Sequence, residues 1–270
     1  MKPNGIRALW ADNKPVLNGW LSIGSPFVAE ILAAQGYDSI TIDQQHGLFG
    51  YETMLATLQA LGNTAVTSLV RVPWLDTAAI AKALDGGAEG IICPMISTRE
   101  EAERLAAYMR YPPQGSRSSG PTRAAVIAGP DYAEHADAEL LCFAMIETAE
   151  GYANMDAIVA TPGIDGVYVG PSDLTLGLTG RQYRMGLDRE EPEILDAIRA
   201  ILASAHRAGK RAGLHTGGPD YAAKAIGWGF DLVTVSSDIR LLAAGAAAAV
   251  SKARQSIAAD PAIGATNPQH

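Results

Sequence analysis

Short apolar runs alternate with stretches of helical periodicity along almost the whole chain. The apolar runs occupy 16–23, 39–43, 65–72, 90–95, 140–147, 166–170, 211–215 and 231–236 and predict strands. Helical stretches follow them in turn, at 26–35, 51–61, 76–85, 98–109, 149–160, 191–208, 220–227 and 238–258. A strand that is followed each time by a helix predicts a parallel sheet, because every parallel pair needs a crossover. Eight such units match a (β/α)8 TIM barrel, which needs about 250 residues. An extra helix is expected ahead of the first strand. A doubly wound open sheet is the alternative, but no G-x-G-x-x-G opens a helix after the first strand. The barrel is expected to fill 1–258 as one domain. Residues 259–270 carry Pro, Gly and Asn without periodicity and predict a flexible tail.

In a barrel, function collects on the loops after the strands, so the carboxyl ends supply the candidates. The first strand brings Trp20, the second Asp43 and His46, and the third Arg71. The fifth ends on Glu147, the sixth on Ser172 and Asp173, and the seventh on His215. Ionisable groups are costly inside a barrel unless paired, so these charges read as one constellation. Glu147 and Asp173 end strands one repeat apart, roughly 4.8 Å from each other if adjacent. Two carboxylates so placed can hold one divalent cation and leave positions for water or substrate. The same pair could instead belong to a salt-bridge network at the mouth. Arg71 offers a planar donor fork for an oxyanion or carboxylate, or pairs with Glu147 or Asp43. Asp43 either caps the following turn or orients the imidazole of His46, three residues on, as a general acid/base. Trp20 is expected as a pocket wall and His215 as a lining residue. Thr216-Gly217-Gly218 could cradle a phosphate, although a plain turn is preferred.

Composition narrows the classes. The net charge of −8, without a basic stripe, argues against nucleic acid and anionic membranes. No run reaches the roughly eighteen apolar residues of a membrane span, and the N-terminus lacks a signal-peptide pattern. The two cysteines, Cys93 and Cys142, fall on expected strands and read as buried free thiols. A cytoplasmic location follows. None of the six lysines sits at the carboxyl end of an expected strand, which disfavours Schiff-base chemistry.

Several short motifs occur in a fixed order. They are G-W at 19–20, D-x-x-H-G at 43–47, V-R-x-P at 70–73, Y-P-P-x-G-x-R at 111–117, I-E-T at 146–148 and G-P-S-D-L at 170–174. Together they resemble the HpcH/HpaI family of class II aldolases over nearly the whole chain. The resemblance implies a divalent Mg, Mn or Co ion and cleavage of 4-hydroxy-2-oxo acids to a 2-oxo acid and an aldehyde. It implies a homo-oligomer, typically a hexamer, whose C-terminal helix packs on a neighbouring subunit. By position, Glu147 and Asp173 match the metal ligands and Arg71 the stabiliser of the enolate. His46, with Asp43 beside it, matches the acid/base. The backbone around Gly170, Pro171, Ser172 and Asp173 matches the cradle for the substrate carboxylate. Asp85 matches an acid that reaches a neighbour's active site, and Trp20 a residue on the aldehyde side. Gln45 and Met145 depart from the commoner Glu and Gln at their positions. The overall pattern, including Asp43-x-Gln45-His46, resembles the branch that accepts hydroxypyruvate as well as pyruvate. An acyl-CoA lyase of the same superfamily and a non-catalytic 2-oxo acid binding barrel are the alternatives.

Overall fold

A computed structural model describes residues 3–259. Helix α1 (Gly5–Ala11) precedes β1 (Val16–Leu21), α2 (Pro26–Ala33), β2 (Ser39–Asp43) and α3 (Tyr51–Leu61). Then come β3 (Thr67–Arg71), α4 (Thr77–Asp85), β4 (Gly90–Cys93), α5 (Arg99–Met109), α6 (Thr122–Ala128) and α7 (Tyr132–Glu139). The second half runs through β5 (Leu141–Ile146), α8 (Ala149–Ala153), α9 (Met155–Val159), β6 (Gly166–Val169) and α10 (Pro171–Thr179). It ends with α11 (Pro192–Arg207), β7 (Arg211–His215), α12 (Pro219–Trp228), β8 (Leu232–Ser237) and α13 (Asp238–Ala259). The strands close in sequence order, with β8 pairing back to β1, and every pair is parallel. The expected TIM barrel is therefore the fold, and the open sheet is excluded.

Alternation along each strand decides what faces the barrel axis. On β5, Leu141, Phe143 and Met145 point inward, while Cys142, Ala144 and Ile146 meet the helical layer. Both cysteines are buried free thiols, as expected. The same period on β1 turns Val16 and Trp20 inward, with Asn18 between them. Large side chains need small neighbours in so narrow a space. A Cβ on Gly213 would stand 2.6 Å from the Tyr168 ring, so glycine there gives the tyrosine its room.

Helix α1 closes the bottom of the barrel. Asn4 caps it by accepting from the amides of Ile6 and Arg7. Ile6 and Trp10 then enter the inner core, where the Trp10 ring meets Phe143 edge-on at 6.1 Å. At the other end of the chain, α13 is set apart. Asp238 is buried, but every residue from Ile239 to Ala259 is exposed. No described helix is long and apolar enough to cross a membrane.

Three helices lie outside the expected set: α6, α7 and α10. The expected helix at 149–160 is two short ones that meet at Asn154. Helix α13 includes Ala259, the first residue of the expected tail, and 260–270 lie outside the described residues.

Candidate active site

The inward stripes of several strands, continued to their carboxyl ends, deliver polar residues to one cavity of about 370 Å³ at the barrel mouth. Asp43 lies two positions past Thr41 on β2, Arg71 two past Leu69 on β3, and Glu147 two past Met145 on β5. His215 continues β7 in the same way. These residues line the cavity with Trp20 and His46, and Gly170, Ser172 and Asp173 complete the expected set there. Two expected residues do not line it. Pro171 is buried at the start of α10, and Asp85 sits at the end of α4 beside a separate groove. There its carboxylate takes a 2.8 Å bond from Arg117, whose side chain is wholly buried between the Tyr111 and Tyr132 rings.

Asp43 holds one wall of the mouth together. Its Oδ1 accepts from Arg71 Nε at 2.8 Å, and its Oδ2 from Arg71 Nη2 at 2.6 Å and Trp20 Nε1 at 3.2 Å. Oδ1 also takes the backbone N–H groups of Gln45 and His46, at 3.0 and 3.2 Å. Burial pushes its pKa up, but the hydrogen bonds and charge of Arg71 outweigh it and leave Asp43 below the ordinary carboxylate value. The expected orientation of the His46 imidazole by Asp43 is corrected here. Asp43 grips the His46 backbone, and the ring lies exposed at the rim with no hydrogen-bond partner. Asp43 thus caps the turn and fixes Arg71, whose guanidinium stacks 4.8 Å over the Trp20 ring. Its carboxylate is engaged by five donors, an arrangement that holds Arg71 in place.

Glu147 occupies the opposite wall. Its Oε1 accepts from Met95 N–H at 3.0 Å, and Met95 itself holds an unusual φ of +60°. Its Oε2 is buried with no hydrogen-bond partner among the described residues. Burial, and then the charge of Asp173, push its pKa up to about 7. A buried carboxylate oxygen left unpaired is costly, and either a proton or a bound cation would relieve it. Gly170 keeps that space open, since a Cβ there would overlap Glu147 Oε2 and the Met145 methyl. No group of three or more His, Cys, Asp or Glu converges as a metal site among the described residues. The mouth offers two carboxylates, which suits a hard cation that fills its shell with water and substrate oxygens.

Helix α10 starts at this wall with Pro171 in its first turn and no side-chain cap on its free N–H groups. Its N-terminus therefore presents the Ser172 and Asp173 amides beside the carboxylates. His215 lies against Trp20, ring centroids 4.5 Å apart, and burial together with the Arg71 charge pulls its pKa to about 3. The Gly217 amide donates to Asp188 at 2.6 Å, so a carboxylate holds the place a phosphate would take and the plain turn stands. None of the described lysines lines the mouth. Ser22, Leu187 and Ser237 also line it and were not anticipated. Ser22 continues the inward stripe of β1, which could have revealed it. Leu187 comes from the long loop before α11, where no periodicity points anywhere.

Residues 18–244 match the HpcH/HpaI aldolase/citrate lyase family. The hydroxypyruvate/pyruvate aldolase of Rhizorhabdus wittichii is 39% identical over 251 residues, which span 93% of this chain and 99% of that one. The 5-keto-4-deoxy-D-glucarate aldolase of Salmonella gallinarum is 33% identical over 239 residues, 88% of this chain and 91% of that one. A solved HpcH/HpaI aldolase/citrate lyase family protein from Burkholderia cenocepacia superposes with a TM-score of 0.86 at 31% identity, covering 93% of this chain and 99% of that one. The chain therefore belongs to the HpcH/HpaI aldolase/citrate lyase family, and its enzyme class is that of the lyases.

Proposed function

We propose that this barrel catalyses reversible aldol cleavage of 4-hydroxy-2-oxo acids, with pyruvate or hydroxypyruvate as donor and an aldehyde as acceptor. The observation that carries the reading is Glu147, whose orphaned buried oxygen stands beside Asp173 and across the cavity from Arg71. Glu147 and Asp173 would hold a divalent cation, Mg, Mn or Co, which when bound polarises the carbonyl of a 2-oxo acid. The substrate carboxylate meets the free amides of Ser172 and Asp173 at the start of α10. Arg71, clamped by Asp43, keeps its Nη1 for the oxygen that gains charge as the C3–C4 bond breaks. His46 at the rim is the residue able to take the C4 hydroxyl proton, directly or through a water. The relative from Rhizorhabdus wittichii supports a hydroxypyruvate-accepting specificity.

Self-assembly, as a hexamer, belongs to the same reading. The solitary α13 and its exposed Leu242 and Val250 support a helix that packs on a neighbouring copy, and Asp85 would serve a neighbour's mouth. The two unpaired thiols support a cytoplasmic location. The test is aldol turnover by chelator-treated protein before and after Mg, Mn or Co is returned, with a panel of donors and aldehydes. Loss and recovery are expected. Undiminished turnover without metal, or in Glu147→Gln, rejects the assignment.

A further inference from the structure

The barrel interior carries a chain of polar side chains that the reaction above does not use. Asn18 Oδ1 accepts from Ser39 Oγ at 2.8 Å and Thr41 Oγ1 at 3.1 Å. That turns its Nδ2 toward Thr234 Oγ1, to which it donates at 2.8 Å. Thr234 Oγ1 lies 2.6 Å from the Tyr168 hydroxyl, which in turn lies 3.1 Å from His215 Nδ1. Asn18, Thr234 and Tyr168 are fully buried, and the other ring nitrogen of His215 has no hydrogen-bond partner among the described residues.

Counting protons fixes the direction of this chain. If Tyr168 donated to Thr234, that oxygen would accept twice, and the threonine proton would be buried with no acceptor. An unpaired buried donor is disfavoured by roughly 1–3 kcal/mol. In the other direction each hydroxyl proton has an acceptor: Asn18 gives to Thr234, Thr234 to Tyr168, and Tyr168 to His215 Nδ1. The imidazole then carries its own proton on Nε2, on the side of the cavity it lines. We infer that His215 is a fixed, neutral Nε2–H donor that recognises a hydroxyl group of the substrate, with Tyr168 and Thr234 as its positioning residues. Its low pKa agrees, since the ring stays neutral across physiological pH. A neutral donor matches a neutral oxygen, while the anionic parts of a 2-oxo acid have Arg71 and the start of α10. The hydroxyl could be the C3 hydroxyl of a hydroxypyruvate-type donor or the α-hydroxyl of the aldehyde.

The identity of the substrate rests on the aldol reading above, whereas the tautomer does not. Protein labelled with 15N-histidine, with His215 assigned by its loss in His215→Phe, reports the tautomer directly. The Nε2–H form is expected in the wild type, and a mixture in Tyr168→Phe and Thr234→Val. An Nδ1–H tautomer in the wild type overturns the proposal. The kinetic arms compare hydroxypyruvate with pyruvate at one aldehyde, and glycolaldehyde with acetaldehyde at one donor. The kcat/KM preference for the hydroxylated compound should fall about tenfold in His215→Phe, and less in Tyr168→Phe, in one of the two arms. Preferences unchanged in both arms overturn it as well. Absent turnover of every pair counts against the aldol reading alone. The Nε2–H resonance, followed while hydroxypyruvate or glycolaldehyde is added against pyruvate or acetaldehyde, then decides the matter: a shift with neither hydroxylated compound overturns the proposal.

Discussion

In the proposed reaction Arg71 meets a developing oxyanion, and Asp43 holds it for that role with two short bonds while the Trp20 ring lies under its plane. A donor so aimed contributes on the order of 3 kcal/mol, or about two decades in rate. Arg71→Lys keeps the charge and loses the fork, so deuterium exchange at C3 of pyruvate should fall by about that factor. Exchange at the wild-type rate would make Arg71 a structural partner of Asp43 and nothing more. His46→Ala should slow aldol cleavage by roughly 10²–10⁴-fold while 2-oxo acid binding, read by calorimetry, persists; normal cleavage would move the base elsewhere. The expectation that Asp43 orients this imidazole failed for a local reason. Three-residue spacing brings an Asp side chain to the backbone amide at least as readily as to a ring, and the amide took it. Glu147 carries its own pH signature. Its native pKa of about 7 exceeds the ordinary 4.5, so the native state keeps a proton that the unfolded chain releases. Stability from this group is complete below about pH 4.5 and lost as pH rises to 7, by about 3 kcal/mol. The Tm of the metal-free wild type should fall across that window relative to Glu147→Gln. Parallel profiles would show that burial of Glu147 has no such effect.

At the scale of elements, α10 matters most. It follows β6 at once, so its first amides and Asp173 arrive at the mouth together. The sequence there shows Gly170, Pro171 and a Thr- and Gly-containing stretch of weak helix propensity, and it is absent from the expected helices. Pro171 at the first helical position is nevertheless a helix start, and packing of Leu174 against the barrel makes it one. Helices α6 and α7 were hidden in the same way, in a β4–β5 connection rich in Pro and Gly. Gly170→Ala tests the junction. Its Cβ would overlap Glu147 Oε2, so activity should drop at least tenfold, with divalent-cation affinity lowered and the far-UV CD spectrum unchanged. Unaltered metal affinity in that variant would show that the glycine leaves no essential space.

The whole molecule poses the question of α13. An exposed helix of 22 residues with Leu242 64% and Val250 52% accessible has no core of its own to join. Helices in proteins owe most of their stability to packing of an apolar face, so a partner surface is what we expect for α13. Analytical ultracentrifugation at micromolar concentration should show an oligomer, and Leu242→Glu should shift it toward smaller species with a loss of activity. A fully active wild-type monomer would sink this expectation.

The strand and helix order, and with it the barrel, was legible from the chain because hydrophobic periodicity is a local property and each β/α unit repeats it. The same period placed Asp43, Arg71, Glu147 and His215 at strand ends facing one axis, so much of the site could be read before any coordinate. What the sequence could not contain was the outcome of competition between groups distant along the chain. Arg71 chose Asp43 over Glu147 because adjacent β2 and β3 put them in register, at paired positions. Glu147 was left with an orphaned oxygen because Met95, on another strand end, satisfied only one side. The polar chain from Asn18 to His215 joins residues up to 216 positions apart, and only closure of the barrel between β1 and β8 brings them within hydrogen-bond reach.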